Sequence, residues 1–287
     1  MKSKTSLSHR NIEPENGVLY LVGTPIGNLS DISKRALNIL ENVFLIACED
    51  TRQTKKIMNK FNISNKMESF NEHNGLTKIP KIINYLKSDK SIALVSDAGM
   101  PGICDPGEEL VKHTRFEGHD VICIPGPCAA TTALVSSGLP SSKFIFEGFL
   151  PKKKVDRERI LYDISKYSKT TIIYESPHRL NRLLRELKKY CGGYRKIQVV
   201  RELTKKFEEH IGQDINEAIA FFEGKKPIGE FTIVLDGIHN KEEIEFDLIK
   251  LKEELNELVD LGLSIKAASK YIAKKNNLSK RIIYNLY

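Results

Sequence analysis

The stretch that decides the fold is Ile92–Leu110, IALVSDAGMPGICDPGEEL. A short apolar run, Ile92–Ser96, leads into a turn that holds three glycines, two prolines and two acids, and a helical pattern follows at Glu108–Phe116. A continuous apolar run bounded by turn residues is typical of a strand buried on both faces. The stretch therefore predicts a strand, a rigid loop and a helix, which together form one unit of a parallel α/β sheet.

The same alternation of short apolar runs and helical patterns extends in both directions from this stretch. The first series comprises a strand at Val18–Gly23, a helix at Asp31–Glu41, and strands at Val43–Ala47 and Val121–Ile124, the last followed by a helix at Ala129–Ser137. After the turn Ser137–Pro140 a second series comprises strands at Lys143–Phe149, Thr171–Tyr174, Lys196–Arg201 and Glu230–Asp236 and helices at Pro177–Tyr190 and Asn216–Phe222. We therefore predict an α/β protein with a flexible leader at 1–16 and two α/β domains at 17–138 and 139–238.

Composition narrows the class of protein. The 287 residues are 40% hydrophobic and 29% charged, a mixture typical of a folded globular chain. No apolar stretch approaches the roughly 18 residues that span a bilayer, and the leader lacks an apolar signal region. The five cysteines are irregularly spaced, and Cys123 and Cys128 have no second pair to complete a zinc site. We expect a cytoplasmic protein with reduced thiols, no membrane association and no metal.

Charge is unevenly distributed near the carboxyl terminus. Gly262–Tyr287 contains six basic residues and no acid, whereas Lys241–Asp260 contains three lysines and eight acids. We therefore predict that 239–287 forms an acidic linker helix followed by a basic helical tail, with Ser264 and Ser279 as helix caps. A basic module suggests a polyanionic partner, and a solvated lysine face is the alternative.

The loops that follow the strands are candidate ligand sites, because ligands of open α/β sheets bind beyond the carboxyl ends of the strands. The first turn, Gly23–Asn28, is not G-x-G-x-x-G, and its Pro25 lacks a donor for phosphate. A ligand there would meet carbonyl groups and packed side chains, unless the turn is purely structural. The loops at Ser96–Gly107 and Pro125–Ala130 have the small residues that allow close approach of a ligand.

Taken together, the loops resemble those of the ribosomal RNA small subunit methyltransferase I family, in the tetrapyrrole methylase (class III methyltransferase) superfamily. The resemblance covers about Gly17–Gly237, and departures at Met100, Cys104 and Cys128 remove no charge. It rests on these motifs in order: LVGTPIGNLSD at Leu21–Asp31, EDTRQT at Glu49–Thr54, FNEHN at Phe70–Asn74, SDAGMPGICDPG at Ser96–Gly107, PGPCAA at Pro125–Ala130, SGLP at Ser137–Pro140, YESPHRL at Tyr174–Leu180 and GEFT at Gly229–Thr232.

The resemblance implies a homodimeric enzyme that binds S-adenosylmethionine between two α/β domains and has a helix-turn-helix-like tail. Its implied activity is methylation of the ribose 2′-oxygen of a cytidine in the decoding region (P site) of 16S ribosomal RNA, within the small ribosomal subunit. The implied cofactor-binding residues are Pro25, Asp97, Ala98, Gly99, Pro101, Ala129, Ala130, Glu175, Ser176, Gly229, Glu230 and Phe231.

Two roles remain open at the level of sequence. A general base would help to deprotonate a ribose hydroxyl. Its candidates are Asp31, Glu49, Asp50, His73 and His178, each of which has a helix-capping or structural alternative. The candidate RNA contacts are Arg52, Lys152, Lys153, Lys154, Arg157, Arg179, Lys274, Lys275, Lys280 and Arg281. The alternative for the lysines at 152–154 is a flexible solvated loop.

Two other functions compete with this prediction. One is methylation of a tetrapyrrole, against which the motifs at Leu21–Asp31 and Glu49–Thr54 and the basic tail argue. The other is a nonenzymatic nucleic-acid-binding regulator built around the tail, which would leave the large α/β body unexplained.

Overall fold

The computed structural model describes residues 13–238, 242–275 and 280–287, and among these the side chains of 242–250, 274, 281 and 282 are not described. The chain forms two compact units, one of residues 1–164 and 170–236 and one of residues 165–169 and 237–287. The first unit contains two five-stranded sheets. The fold class predicted from the sequence is confirmed, whereas the boundary between the two α/β domains near residue 138 stays a prediction.

The first sheet is entirely parallel, with strand order β3-β2-β4-β1-β5. Alternate residues of each strand face two separate helical layers, as the period of two requires. Tyr20 and Ile46 pack in the cluster that includes the buried residues of α1 and α2, whereas Leu19 and Leu45 pack with those of α3 and α4. The elements are β1 (Leu19–Val22), α1 (Lys34–Asn42), β2 (Leu45–Cys48), α2 (Thr51–Lys60), β3 (Met67–Ser69), α3 (Gly75–Lys87), β4 (Ile92–Val95), α4 (Glu108–Phe116), β5 (Val121–Ile124) and α5 (Ala129–Ser137).

The second sheet is mixed, with strand order β6-β7-β10-β8-β9. Its β6–β7 pair is parallel and the other pairs are antiparallel, so the expectation of parallel units holds for the first sheet and is wrong for most of the second. The reason is β10, which inserts between β7 and β8 although it follows both in the chain. The elements are β6 (Phe144–Phe149), α6 (Lys154–Lys166), β7 (Thr170–Glu175), α7 (Pro177–Cys191), β8 (Ile197–Arg201), β9 (Glu209–Ile211), α8 (Ile215–Phe222) and β10 (Phe231–Leu235).

The second unit carries three helices, α9 (Glu242–Asp260), α10 (Ile265–Lys275) and α11 (Lys280–Tyr284). Leu255, Ile272 and Ile283 are fully buried in a small core of their own. Ser264 caps α10 as predicted, because its hydroxyl accepts the Ala267 N–H at 3.3 Å. The predicted cap at Ser279 lies outside the described residues. Among the described helices, none is long and apolar enough to cross a membrane.

Candidate functional site

A cavity of about 430 Å³ lies where the loops at the carboxyl ends of the first sheet face the second sheet. Its size is in the range of small-molecule sites. The first sheet contributes Ile26, Glu49, Asp97, Ala98, Gly99, Met100, Ile103, Cys104, Asp105, Cys128 and Ala129. The second sheet and its loops contribute Phe149, Tyr174, Glu175, Ser176, Pro177, Val200, Leu203, Glu230, Phe231 and Thr232.

The cavity brings together eight of the twelve residues that the sequence predicts to bind a cofactor: Asp97, Ala98, Gly99, Ala129, Glu175, Ser176, Glu230 and Phe231. The other four lie next to it. Pro25 and Pro101 are buried, and their chain neighbours Ile26 and Met100 line the cavity. The Ala130 N–H donates to the hydroxyl of Tyr174 at 2.9 Å, and Gly229 adjoins Glu230 with a positive φ of 104°.

Two backbone contacts fix the loops at this edge of the first sheet. The N–H of Thr24 donates to the carbonyl of Gly99 at 2.8 Å, and the reverse bond measures 3.1 Å. Gly99 has a φ of 85°, a conformation that favours glycine. A Cβ on Gly126 would lie 2.7 Å from the Cα of Gly23, so Gly126 allows one backbone to approach another rather than a ligand.

Three carboxylates give this cavity an acidic wall. Burial raises the pKa of Glu49, Asp97 and Asp105, and each also lies in the field of its acidic neighbours. For Asp105 the pKa rises to about 6. Such a wall favours a cationic ligand and disfavours phosphate. Among the described residues, no group of three or more side chains is arranged to hold a metal ion.

A second cavity, also of about 430 Å³, adjoins the first. Hereafter the two are called the main cavity and the polar cavity. The polar cavity is lined by Glu49, Asp50, Thr51, Arg52, Ser69, Asn71, Glu72, His73 and Asp97. Glu49 and Asp97 line both cavities, so the two spaces are neighbours at these carboxylates.

The structure separates the five candidates for a general base. Asp31 is exposed in a one-turn 3-10 helix and His178 is exposed near the start of α7, and neither lines either cavity. Asp50 and His73 line the polar cavity alone, and Asp50 also caps α2 by accepting the Arg52 N–H. Glu49 is half-buried and lines both cavities.

A buried ion-pair network supports the second-sheet wall. Glu175 accepts the Ser176 N–H at 2.9 Å, pairs with Arg179 at 2.7 Å and pairs with Arg157 at 3.3 Å. Arg157 also pairs with Glu186 at 2.7 Å. Its side chain is 2% exposed, which corrects the prediction that Arg157 contacts RNA.

The other candidate RNA contacts lie in different settings. Lys152, Lys153 and Lys154 are exposed, the first two in a bend and the third at the first position of α6, so phosphate contact and a solvated loop both stay predictions. Arg52 is exposed but held by Asp50, and Arg179 is committed to Glu175. In the tail, Lys275 pairs with Glu254 and Lys280 is half-buried. The side chains of Lys274 and Arg281 lie outside the described residues.

Sequence reasoning missed the apolar wall formed by residues such as Val200 and Leu203. Leu203 lies in an irregular segment between Glu202 and Thr204, which have φ values of 52° and 65°. A non-glycine residue with positive φ is strained, and no sequence pattern predicts this conformation at Glu202 or Thr204. No motif could have identified Leu203.

Three comparisons bear on this site. The family model described as Tetrapyrrole (Corrin/Porphyrin) Methylases matches residues 18–219. A Halalkalibacterium halodurans protein named ribosomal RNA small subunit methyltransferase I is 42% identical over 290 residues, covering 100% of this chain and 99% of the relative. A Thermotoga maritima protein of the same name is 48% identical over 221 residues, covering 77% of this chain and 99% of the relative. About a quarter of this chain therefore has no counterpart in the Thermotoga protein.

Solved structures agree on the fold. Cobalt precorrin-4 methyltransferase, a cobalamin biosynthetic enzyme, superposes with a TM-score of 0.59 at 14% identity, covering 77% of this chain and 95% of that chain. Uroporphyrin-III-C-methyltransferase from Thermus thermophilus gives a TM-score of 0.52 at 17% identity, covering 76% and 94% respectively. At such identities the likeness supports the architecture alone.

Proposed function

We propose, from the premise that this chain belongs to the tetrapyrrole methylase family and to its ribosomal RNA small subunit methyltransferase I branch, that it methylates ribosomal RNA with S-adenosylmethionine. In finer detail, the acceptor is the ribose 2′-oxygen of a cytidine in the decoding region of 16S RNA, presented within the small ribosomal subunit to a homodimer. The observation that carries the proposal is the main cavity, with its apolar side and its acidic wall.

The residues of the main cavity fit this cofactor. S-adenosylmethionine has no phosphate and supplies, when bound, a sulfonium-activated methyl group together with an ammonium group. The carboxylates of Asp97 and Asp105 suit these positive charges, because burial and neighbouring acids raise the pKa of both groups and a cationic ligand would stabilise their ionised forms. Ile26, Val200 and Leu203 provide apolar surface for a heterocycle and exclude water.

The protein's own contribution to transfer is mainly alignment. An in-line displacement needs donor and acceptor held at near-contact distance, and the bonded turns at Thr24 and Gly99 give the cavity rigid walls for that purpose. The network around Glu175 fixes the opposite wall.

Capture of RNA falls to basic groups outside the acidic cavity. Lys152 and Lys153 immediately precede α6 and Lys154 is its first residue, so all three exposed side chains lie near the helix N-terminus, where the helix dipole disfavours cations. Lysines in such a place make sense if phosphate binds, because the helix N-terminus and the ammonium groups then attract the same anion.

To test the proposal, the full chain is incubated with isolated small ribosomal subunits that lack the 2′-O-methyl group and with S-adenosylmethionine whose methyl group carries an isotopic label. We expect labelled 2′-O-methylcytidine in the nucleoside digest, at a position in the decoding region. Label on a base, or on no RNA, would contradict the proposal. Deproteinised 16S RNA as a second substrate shows whether the assembled subunit is required.

A further inference from the structure

The main cavity and the polar cavity share two lining residues, Glu49 and Asp97. If the cofactor occupies the main cavity and a nucleoside occupies the polar cavity, the two reactants are nearest to each other beside these shared residues. The polar cavity offers hydroxyl and amide groups from Thr51, Ser69 and Asn71. Such groups suit the hydroxyls of a sugar.

Of the two shared carboxylates, Glu49 has the more available oxygen atoms. Its hydrogen bond with a described residue is a long one, from the Asp97 N–H to Oε2 at 3.4 Å. Asp97 itself accepts the Asp50 N–H at 3.0 Å through Oδ1. Asp50 is held by Arg52 through three side-chain bonds of 2.6 to 3.0 Å. Glu49 can therefore accept a new hydrogen bond without losing a strong one.

We propose that Glu49 is the general base of the methyl transfer and that the polar cavity holds the target ribose. This inference rests on the proposed function. The 2′-hydroxyl proton passes to the Glu49 carboxylate, the electron pair freed on oxygen forms the new bond to the methyl carbon, and the pair of the broken carbon–sulfur bond stays on sulfur.

The surroundings of Glu49 increase its basicity. Burial raises its pKa, and the fields of Asp97, Glu72 and Asp50 act in the same direction. Asp105, on the loop after β4, also interacts with it. Arg52, which lines the polar cavity, forms an ion pair with Asp50. A carboxylate with a raised pKa is a stronger base, as proton abstraction from a weakly acidic hydroxyl requires.

The decisive variant is Glu49→Gln, which keeps the size of the side chain and removes its basicity. Glu117→Gln is the matched control, because Glu117 follows α4, pairs with Lys87 and lines neither cavity. For each full-length protein we would measure S-adenosylmethionine affinity by calorimetry, subunit affinity by filter binding, and the single-turnover methylation rate from the ordinary range of a glutamate pKa, about pH 4.5, up to about pH 9.

Because Glu49 also belongs to the acidic wall of the main cavity, we expect Glu49→Gln to bind the cofactor up to about tenfold more weakly than wild type and the subunit within about threefold. At saturating cofactor it should lose about 10²- to 10⁴-fold in the single-turnover rate, the contribution typical of a general base. The wild-type rate should rise with pH and level off once Glu49 is ionised, and Glu49→Gln should lack that plateau. Glu117→Gln should match wild type throughout.

Two results would overturn the role of Glu49. One is a Glu49→Gln rate within tenfold of wild type with the same pH profile. The other is loss of cofactor binding that accounts for the whole loss of rate, which would make Glu49 a binding residue. Failure of the proposed function is distinct from both, because the wild-type protein itself would then leave ribose unmethylated.

Discussion

Replacement of Arg157 by methionine should destabilise the protein far more than the same replacement at its neighbour Arg182. Arg157 is 2% exposed and contacts two carboxylates, Glu175 at 3.3 Å and Glu186 at 2.7 Å. Arg182 contacts Glu186 at 2.8 Å, but 54% of its side chain is exposed. The pair of variants therefore compares one chemical change in a buried and in a solvated setting.

The magnitude follows from what each variant leaves behind. Removing one partner of a buried ion pair costs about 3–5 kcal/mol, because a charge stays buried without compensation. Glu175 would keep Arg179 and the Ser176 N–H, which places Arg157→Met near the lower end, about 3 kcal/mol. An exposed pair contributes about 0–1 kcal/mol, which is the expectation for Arg182→Met.

Urea unfolding followed by circular dichroism measures both effects. With an m value of about 3 kcal/mol per molar, Arg157→Met should lower the midpoint by about 1 M, and Arg182→Met by about 0.3 M or less. Because Glu175 lines the main cavity, Arg157→Met should also weaken S-adenosylmethionine binding while leaving the salt dependence of RNA binding unchanged. Equal midpoints for the two variants would refute the assignment of Arg157 to a buried supporting network.

Four further predictions concern the cavity, the basic surfaces and pH. Ala98→Leu should reduce cofactor affinity at least tenfold in calorimetry, because Ala98 lines the main cavity, while the exposed Ala220→Leu on α8 should leave it unchanged. Neutralising Lys152–Lys154 with glutamine should lower the slope of log affinity for RNA against log salt by up to about 2–3, and an unchanged slope would exclude phosphate contact. A chain ending at Asn240 should keep its cofactor affinity and show a raised KM for the subunit with a smaller change in kcat, and loss of cofactor binding would contradict this. Burial raises the pKa of Asp105 from 3.8 to about 6, so folding favours its protonated form, and the protein loses stability as pH rises from 3.8 through 6. Asp105→Asn removes that loss and should therefore stabilise the protein by about 1 kcal/mol at pH 7.5, after allowance for solvent screening. The same variant should have little effect at pH 4, and urea unfolding at the two pH values measures both results.

Local sequence signals predicted the first sheet well and the second sheet less well. The helices Glu108–Phe116 and Ala129–Ser137 have the predicted bounds, because glycine- and proline-containing turns precede both. The helix Gly75–Lys87 escaped prediction, and its interior Pro80 is a residue that normally argues against a helix. The insertion of β10 between β7 and β8 depends on pairing across the chain, which alternation of strands and helices does not encode.

At the site, the sequence identified loops more reliably than the roles of charged residues. The motif around Asp97 and Gly99 predicted a wall of the cavity, because special backbone conformations need special residues. Charge alone groups Arg157 with its neighbouring lysines and predicts an RNA contact, which is wrong for this buried residue. A helical period would have given the better answer, since Arg157, Leu161 and Ile164 share one buried face at i, i+4 and i+7.

The distribution of charge separates the binding places of the two reactants in the proposed reaction. The methyl donor is cationic and suits a cavity walled by Glu49, Asp97 and Asp105, whereas the same wall repels the phosphates on either side of a target ribose. In the proposed reaction we therefore expect RNA to enter with its sugar towards the polar cavity and its backbone away from it. Phosphate contacts would then come from cations outside the cavity, and we propose the exposed Lys152–Lys154 for that role. In the proposed reaction the acidic site and the separate basic surface therefore have different roles. Contacts with the RNA phosphate backbone provide affinity, and exclusion of phosphate from the acidic site orients the nucleoside.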